Sequence, residues 1–267
     1  MRVYNPEGSA LRNDQLELVE ILKVLAGICQ EHGIQWWLSS GTLLGAVRHD
    51  GFIPWDDDID IVMLKDDFRK LEKILCQYES DEYVYHCPKT DVEYCNFYGK
   101  FRKKEGDMME NHRRHKYYKW KGNGVDIFAI EKTSYIAARL GKLFYHPLQS
   151  LVSRIRIKWL RRPLKLFVEY LNIYLLQPIF RIIGLINPKE EYHYLIGMGW
   201  PKHTFYMKYT FPLTEVSFEG EMMPCPKDAD SYLTNVYGNW RKIPSDKEIE
   251  KAIHNHKYKK DFFGKSE

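Results

Sequence analysis

Apolar positions at Leu16, Val19, Leu22, Leu25 and Ile28 recur at helical spacing, with Asn13 placed as an N-cap and Gly33 as a stop. "IQWWLS" then predicts a short buried strand, and a second helix starts at the Gly41-Thr42 turn. "DIDIVM" reads as the next strand, followed by a helix over Lys65 to Tyr78 with Phe68, Leu71 and Leu75 on one face. Two strand-like runs, "EYVYHC" and "EYCNFYGKFRK", precede a polar, basic loop from Lys103 to Lys121. "GVDIFAIE", Gly124 to Glu131, is a further short strand, and "FPLTEVSFEG" onward predicts a hairpin followed by a short helix. Strands alternating with helices and then following one another predict an α/β (α+β) sheet domain.

The pattern changes between residues 133 and 199. Apolar runs are mixed there with Arg154, Arg156, Lys158, Arg161, Arg162 and Lys165, and before Glu190 the only acid is Glu169. This predicts a helical, basic, amphipathic insertion between two parts of one catalytic domain, residues 1–132 and 200–267. "LFVEYLNIYLLQPIF" contains Glu169, Asn172 and Pro178, and reads as too short and interrupted to span a bilayer. The segment has two readings: a helical cap on the sheet, or a peripheral membrane contact through residues 145–185 that admits a lipid-linked substrate.

The 267-residue chain is 44% hydrophobic and 28% charged, enough for a sizeable core. A net charge of +4 is too small to argue for nucleic acid, and none is expected as a partner. The five cysteines contain no C-x-x-C pair and predict reduced thiols. The start, "MRVYNPEGSALRNDQ", carries no apolar signal segment, so a cytoplasmic location is expected, with the inner membrane face as the alternative. Nineteen Tyr and seven Trp favour a site that stacks on sugars or cations, although large cores also consume aromatics.

Candidate chemistry concentrates in "LSSGTLLGAVRHDGFIPWDDDIDIVM". On a strand, Asp58 and Asp60 project to one side about 7 Å apart, and such carboxylates repel unless a cation lies between them. Oxygen-only ligands favour Mg²⁺, with Mn²⁺ as an alternative. Asp126, set between Val125 and Ile127, is the candidate third ligand. Asp56 and Asp57 read as the approach to the strand. Gly41 permits close backbone approach, the helix start attracts an anion, and Ser40 or Thr42 adds a hydroxyl. Arg48 suits a phosphate clamp. Metal and anion cradle together point to phosphoryl chemistry. His112, His115, His254 and His256 lack a zinc-like spacing and read as solvated loop residues.

The string "GTLLGAVRHDGFIPWDDDID", with "GVDIF", "FPLTEVSFEG" and "MPCPKDADSYLTNVYGNW", resembles the LicD family, which includes fukutin-like proteins. The resemblance implies a nucleotidyltransferase-like mixed sheet flanked by helices. It also implies transfer of phosphocholine, or of a phospho-alditol, from a CDP-linked donor to a cell-surface glycan or its lipid-linked precursor, with CMP released. By position, Asp58, Asp60 and Asp126 would hold Mg²⁺, Gly41 and Thr42 would cradle the donor's diphosphate, and Arg48 would neutralise it. Asp126 is also the candidate proton acceptor. Tyr117, Tyr118, Trp120 and Trp55 are candidates to enclose a choline head group. Two other readings compete: a nucleotidyltransferase that moves a nucleoside monophosphate to a small molecule, and a non-catalytic glycan-binding protein.

Overall fold

The computed structural model describes residues 4–108, 115–185, 189–195, 198, 202–253, 258 and 262. Helix α1 (Ala10–Glu31) starts earlier than its apolar spacing suggests, because the Ser9 hydroxyl accepts the Arg12 N–H at 3.2 Å. Asn13 therefore lies inside the helix. Leu16 is 41% exposed, and Leu18, Leu22, Leu25 and the buried Gln15 occupy the inner face.

Strand β1 (Trp37–Leu38) leads through Ser39 into α2 (Ser40–His49), then β2 (Ile59–Leu64) and α3 (Lys65–Leu75). β3 (Tyr83–His86) and β4 (Gly99–Lys103) pair antiparallel. The first half of "EYCNFYGKFRK" is not strand, because Asp91 Oδ1 accepts the Glu93 N–H at 2.9 Å and holds a turn there.

β5 (Gly124–Lys132) is the centre of the sheet. It runs parallel to β2 and antiparallel to β4, giving the order β1-β2-β5-β4-β3. Its side chains are buried over most of its length, as a central strand requires.

The insertion comprises α4 (Tyr135–Arg154), α5 (Lys158–Leu171) and α6 (Gln177–Leu185), the last two joined by a π-turn, Asn172–Leu176. Pro178 cannot donate to the helix ladder, and the π-turn directly precedes it. Trp159–Gly184 is thus one helical run of 26 residues, long and apolar enough to cross a bilayer, where the sequence suggested a segment too short and interrupted. The helices share a small core of their own: Ala137, Tyr145, Val152, Val168 and Phe180. β6 (Tyr192–Tyr194) returns to the main sheet by pairing with β5 (Ile130↔Tyr194), so sheet structure resumes before residue 200.

After α7 (Met207–Thr210), β7 (Thr214–Phe218) and β8 (Glu221–Cys225) form the expected hairpin, turning through Glu219 and Gly220, both at positive φ. α8 (Ala229–Tyr237) and α9 (Asp246–Ala252) follow. All five cysteines are free, and burial pushes the Cys29 thiol up to about 12.

Candidate active site

The β1–α2 turn builds one wall. Ser40 adopts φ +50°, uncommon for a residue with a side chain and often associated with functional sites. From it α2 runs along a cavity of about 1080 Å³, presenting Ser40, Gly41, Leu44 and Arg48. Arg48 stands about 10 Å along the helix from Gly41, at 1.5 Å per residue. It donates to the Trp240 carbonyl at 2.8 Å, and burial lowers its pKa.

The acidic wall comes from the segment before β2. Asp56, Asp57, Asp58 and Asp60 all line the cavity. Asp58 lies just before the strand and Asp60 within it. The segment is held on several sides. Gln15 donates to the Asp56 carbonyl at 2.8 Å, and the Phe52 N–H donates to Glu219, which is ion-paired with Arg12 at 2.7 Å. A Cβ on Gly41 would collide with the Asp56 carboxylate, so this glycine makes room for a side chain of the chain itself.

Thr42 departs from its expected place. It is 1% exposed and does not line the cavity, and its hydroxyl accepts the Asp60 N–H at 2.8 Å. The Asp60 carbonyl accepts the Ser39 N–H at 3.1 Å. The turn therefore clamps the Asp60 backbone from both sides.

Asp60 and Asp126 are register partners on the parallel β2–β5 pair, and Lys100 is the register partner of Asp126 on β4. Lys100 Nζ and Asp126 Oδ1 are 2.9 Å apart and both side chains are buried. Asp126 thus stands beside Asp60, as expected, but it is ion-paired with Lys100 and does not line the cavity.

Burial, and then the charges of Asp58 and Asp126, hold the Asp60 carboxyl well above the usual carboxylate range; a Ser40 hydrogen bond and the Lys100 charge oppose this. Asp56 is raised by burial and by Asp58, Asp57 and Asp60. Tyr237, over the same acids, is raised by burial and by Asp60. Among the described residues no three His, Cys, Asp or Glu are already grouped to hold a metal ion. The chemistry of the donor set nevertheless fits a hard divalent cation: the ligands are oxygen only, half-buried, and disfavoured as anions by one another.

Arg139 and Lys142 of α4 and Lys202 and Lys242 also line the cavity. Trp55, Tyr135, Tyr237 and Trp240 add aromatic wall. Of the candidates to enclose choline, only Trp55 is there. Tyr118 and Trp120 pack edge-on against His86, at 5.2 and 5.3 Å. His115 is buried beside Tyr118 rather than solvated, while His112, His254 and His256 lie outside the described residues.

Lys100, Tyr237 and the α4 cations were missed from the sequence, and Asp56 was read only as part of the approach to the strand. Asp56 could have been found from its place in "WDDDID", since a carboxylate next to a D-x-D pair cannot lie far from it. Lys100 carried a weaker signal, a cation alternating with Phe101 on a strand. Nothing local marked Tyr237, Arg139 or Lys142, which reach the cavity only through tertiary packing.

A mixed sheet flanked by helices places a helix start beside an acidic strand entry at the cavity. Residues 33–151 match the LicD/FKTN/FKRP nucleotidyltransferase-domain family, and the chain carries a LicD-family domain. It is 26% identical to the lipopolysaccharide cholinephosphotransferase LicD of Haemophilus influenzae over 260 residues, 89% of this chain and 94% of that protein. Shorter matches reach an uncharacterized protein of Rickettsia prowazekii (41% over 85 residues; 29% of this chain, 32% of that one). The human ribitol 5-phosphate transferase FKRP matches at 37% over 57 residues, 21% of this chain and 12% of that one.

Proposed function

We propose that the protein transfers a phospho-substituent from a CDP-linked donor to a glycan acceptor, releasing CMP, with Mg²⁺ as the cofactor. Phosphocholine is favoured over a phospho-alditol. The observation that carries this reading is a cavity lined both by Asp56, Asp57, Asp58 and Asp60 and by Arg48, Arg139, Lys142, Lys202 and Lys242. Its size, at the upper end of small-molecule sites, suits a nucleotide-linked donor together with part of an acceptor. Similarity to a named cholinephosphotransferase along most of both chains supports the head group, and so does an aromatic wall suited to a quaternary ammonium.

In the reaction the acceptor oxygen bonds to the donor's β-phosphorus, the bond from that phosphorus to the CMP oxygen breaks, and the hydroxyl proton passes to a carboxylate. Asp58 and Asp60, with Asp56 beside them, would hold Mg²⁺, which when bound neutralises phosphate charge. Ser40 orients Asp60 by hydrogen bonding. Asp126, charge-balanced by Lys100, keeps a second carboxylate beside Asp60 and acts through it rather than as a ligand facing the cavity. Asp56, which lines the cavity where Asp126 does not, takes the role of proton acceptor in place of Asp126. Arg48, about 10 Å from Gly41, meets the nucleotide end of the donor, and Arg139 and Lys142 face the phosphates from α4.

The test is CMP release by the purified chain from CDP-choline, CDP-ribitol and CDP-glycerol with Mg²⁺. Release from CDP-choline, lost with EDTA and in Asp60→Asn, is expected. Equal inertness towards all three donors, with no Mg²⁺-dependent binding of any, contradicts the proposal and favours a non-catalytic glycan-binding role.

A further inference from the structure

We infer that α4, α5 and α6 form a docking face for the surface of an anionic lipid bilayer. The clearest sign is a second apolar side on α5 and the π-turn, turned away from the small core that Val168 helps to form. Trp159, Phe167, Tyr170, Ile173 and Tyr174 follow helical spacing along the outer side and are exposed, Trp159 by 76%. The inner side carries charge alongside the buried Val168: Arg161 is buried against Glu93, and Lys165 pairs with Glu169 at 3.7 Å and donates to the Val92 carbonyl at 2.8 Å. A water-facing helix carries polar residues on its outer side. The Arg161–Glu93 pair and the Lys165 hydrogen bond fasten the helix to the 92–94 loop, so the run lies along the protein with its apolar side out. A membrane-crossing helix of the same length would have to give up those contacts.

α4 continues the face. Ile136, Leu143, Phe144 and Leu151 fall at i, i+7, i+8 and i+15 and are exposed, Leu143 by 65%. Its cavity residues, Tyr135, Arg139 and Lys142, fall at i, i+4 and i+7 on the neighbouring face. The cavity wall and the docking stripe are thus adjacent sides of one helix.

Charge and residue type select the occupant. Residues 133–189 contain ten Lys and Arg against one acid, Glu169, which is already paired. Arg154, Arg156 and Arg162 are exposed beside the apolar stripe. Exposed Trp and Tyr suit the level of lipid head groups, and basic residues around them suit an anionic surface. Docking does not depend on which group the cavity transfers.

The experiment is flotation of the full-length chain with phosphatidylcholine vesicles, with and without phosphatidylglycerol. The chain is expected to float with the anionic vesicles, and raised salt should weaken that binding. The triple variant Phe167→Ser/Tyr170→Ser/Ile173→Ser, its fold checked by circular dichroism, should lose binding by roughly tenfold or more. Arg156→Glu/Arg162→Glu should lose the preference for phosphatidylglycerol, and it keeps the test decisive should the triple variant misfold. Asp60→Asn should float as the parent does, which separates docking from catalysis. Three results would overturn the inference: no flotation with either vesicle, flotation unchanged in both surface variants, or a dimer in light scattering that buries this face and does not bind vesicles.

Discussion

Thr42→Val is the most informative single change, because two accounts of this residue predict different outcomes. Thr42 is buried, and its hydroxyl is the acceptor for the Asp60 N–H at 2.8 Å. Valine keeps the shape but offers no acceptor, leaving that N–H unsatisfied at a cost of about 1–3 kcal/mol. For a domain of this size the melting temperature should fall by about 2–10 °C. Thr42→Ser restores the acceptor and loses one methyl, worth about 0.8 kcal/mol. Urea denaturation of the three proteins gives the stability order: parent, then Ser, then Val. Because Thr42 fixes Asp60 rather than the donor, kcat should fall in the Val variant while the donor KM stays near the parent value. The reasoning is refuted if Thr42→Val costs under about 0.5 kcal/mol and raises the donor KM, as loss of a direct phosphate contact would.

Three further outcomes are expected. Lys100→Met leaves the buried Asp126 without its 2.9 Å ion pair and should cost about 3–5 kcal/mol in urea denaturation, with much of this recovered in Lys100→Met/Asp126→Asn. Gly41→Ala pushes a methyl into the Asp56 carboxylate, so kcat should drop by roughly tenfold to a hundredfold while thermal melting shifts little, because the carboxylate can swing away. For Asp91, burial alone would raise the carboxyl, but hydrogen bonds from His86, from the Lys119 N–H at 2.8 Å and from the Glu93 N–H at 2.9 Å outweigh it and hold the pKa below the ordinary value. A depressed folded-state pKa contributes stability that is full above the unfolded value of about 3.9 and is lost as pH falls through the folded one. Asp91→Asn should therefore destabilise by about 1–3 kcal/mol at neutral pH, and denaturation curves should show the gap closing below about pH 4.

What the sequence could reveal depended on whether the signal was local. The β2 and β5 strands, each an apolar run broken by one aspartate, were readable, as were the hairpin around Gly220 and the β1–α2 turn. Even the meeting of Asp60 with Asp126 follows from two such strands pairing in parallel. Lys100 and Thr42 were not readable in the same way. Each serves a carboxylate on another element, and no spacing rule connects residue 100 with 126 or 42 with 60. The start of α1 was misplaced because Ser9 and Asn13 are both good caps, and the contest is settled by where the chain packs. α5 left two readings open for a physical reason: its apolar and charged positions are visible in the sequence, but which of them face the protein is decided by partners such as Glu93 and the carbonyls of the 92–94 loop.

The central claim is attack on the β-phosphorus with CMP as leaving group, and slow hydrolysis of CDP-choline in ¹⁸O-labelled water, followed by mass spectrometry and phosphorus NMR, tests it most directly. The account predicts that the label enters phosphocholine and leaves CMP unlabelled, with no turnover in Asp60→Asn. Label in CMP would mean attack on the α-phosphorus, contradicting the account and making the protein a nucleotidyltransferase.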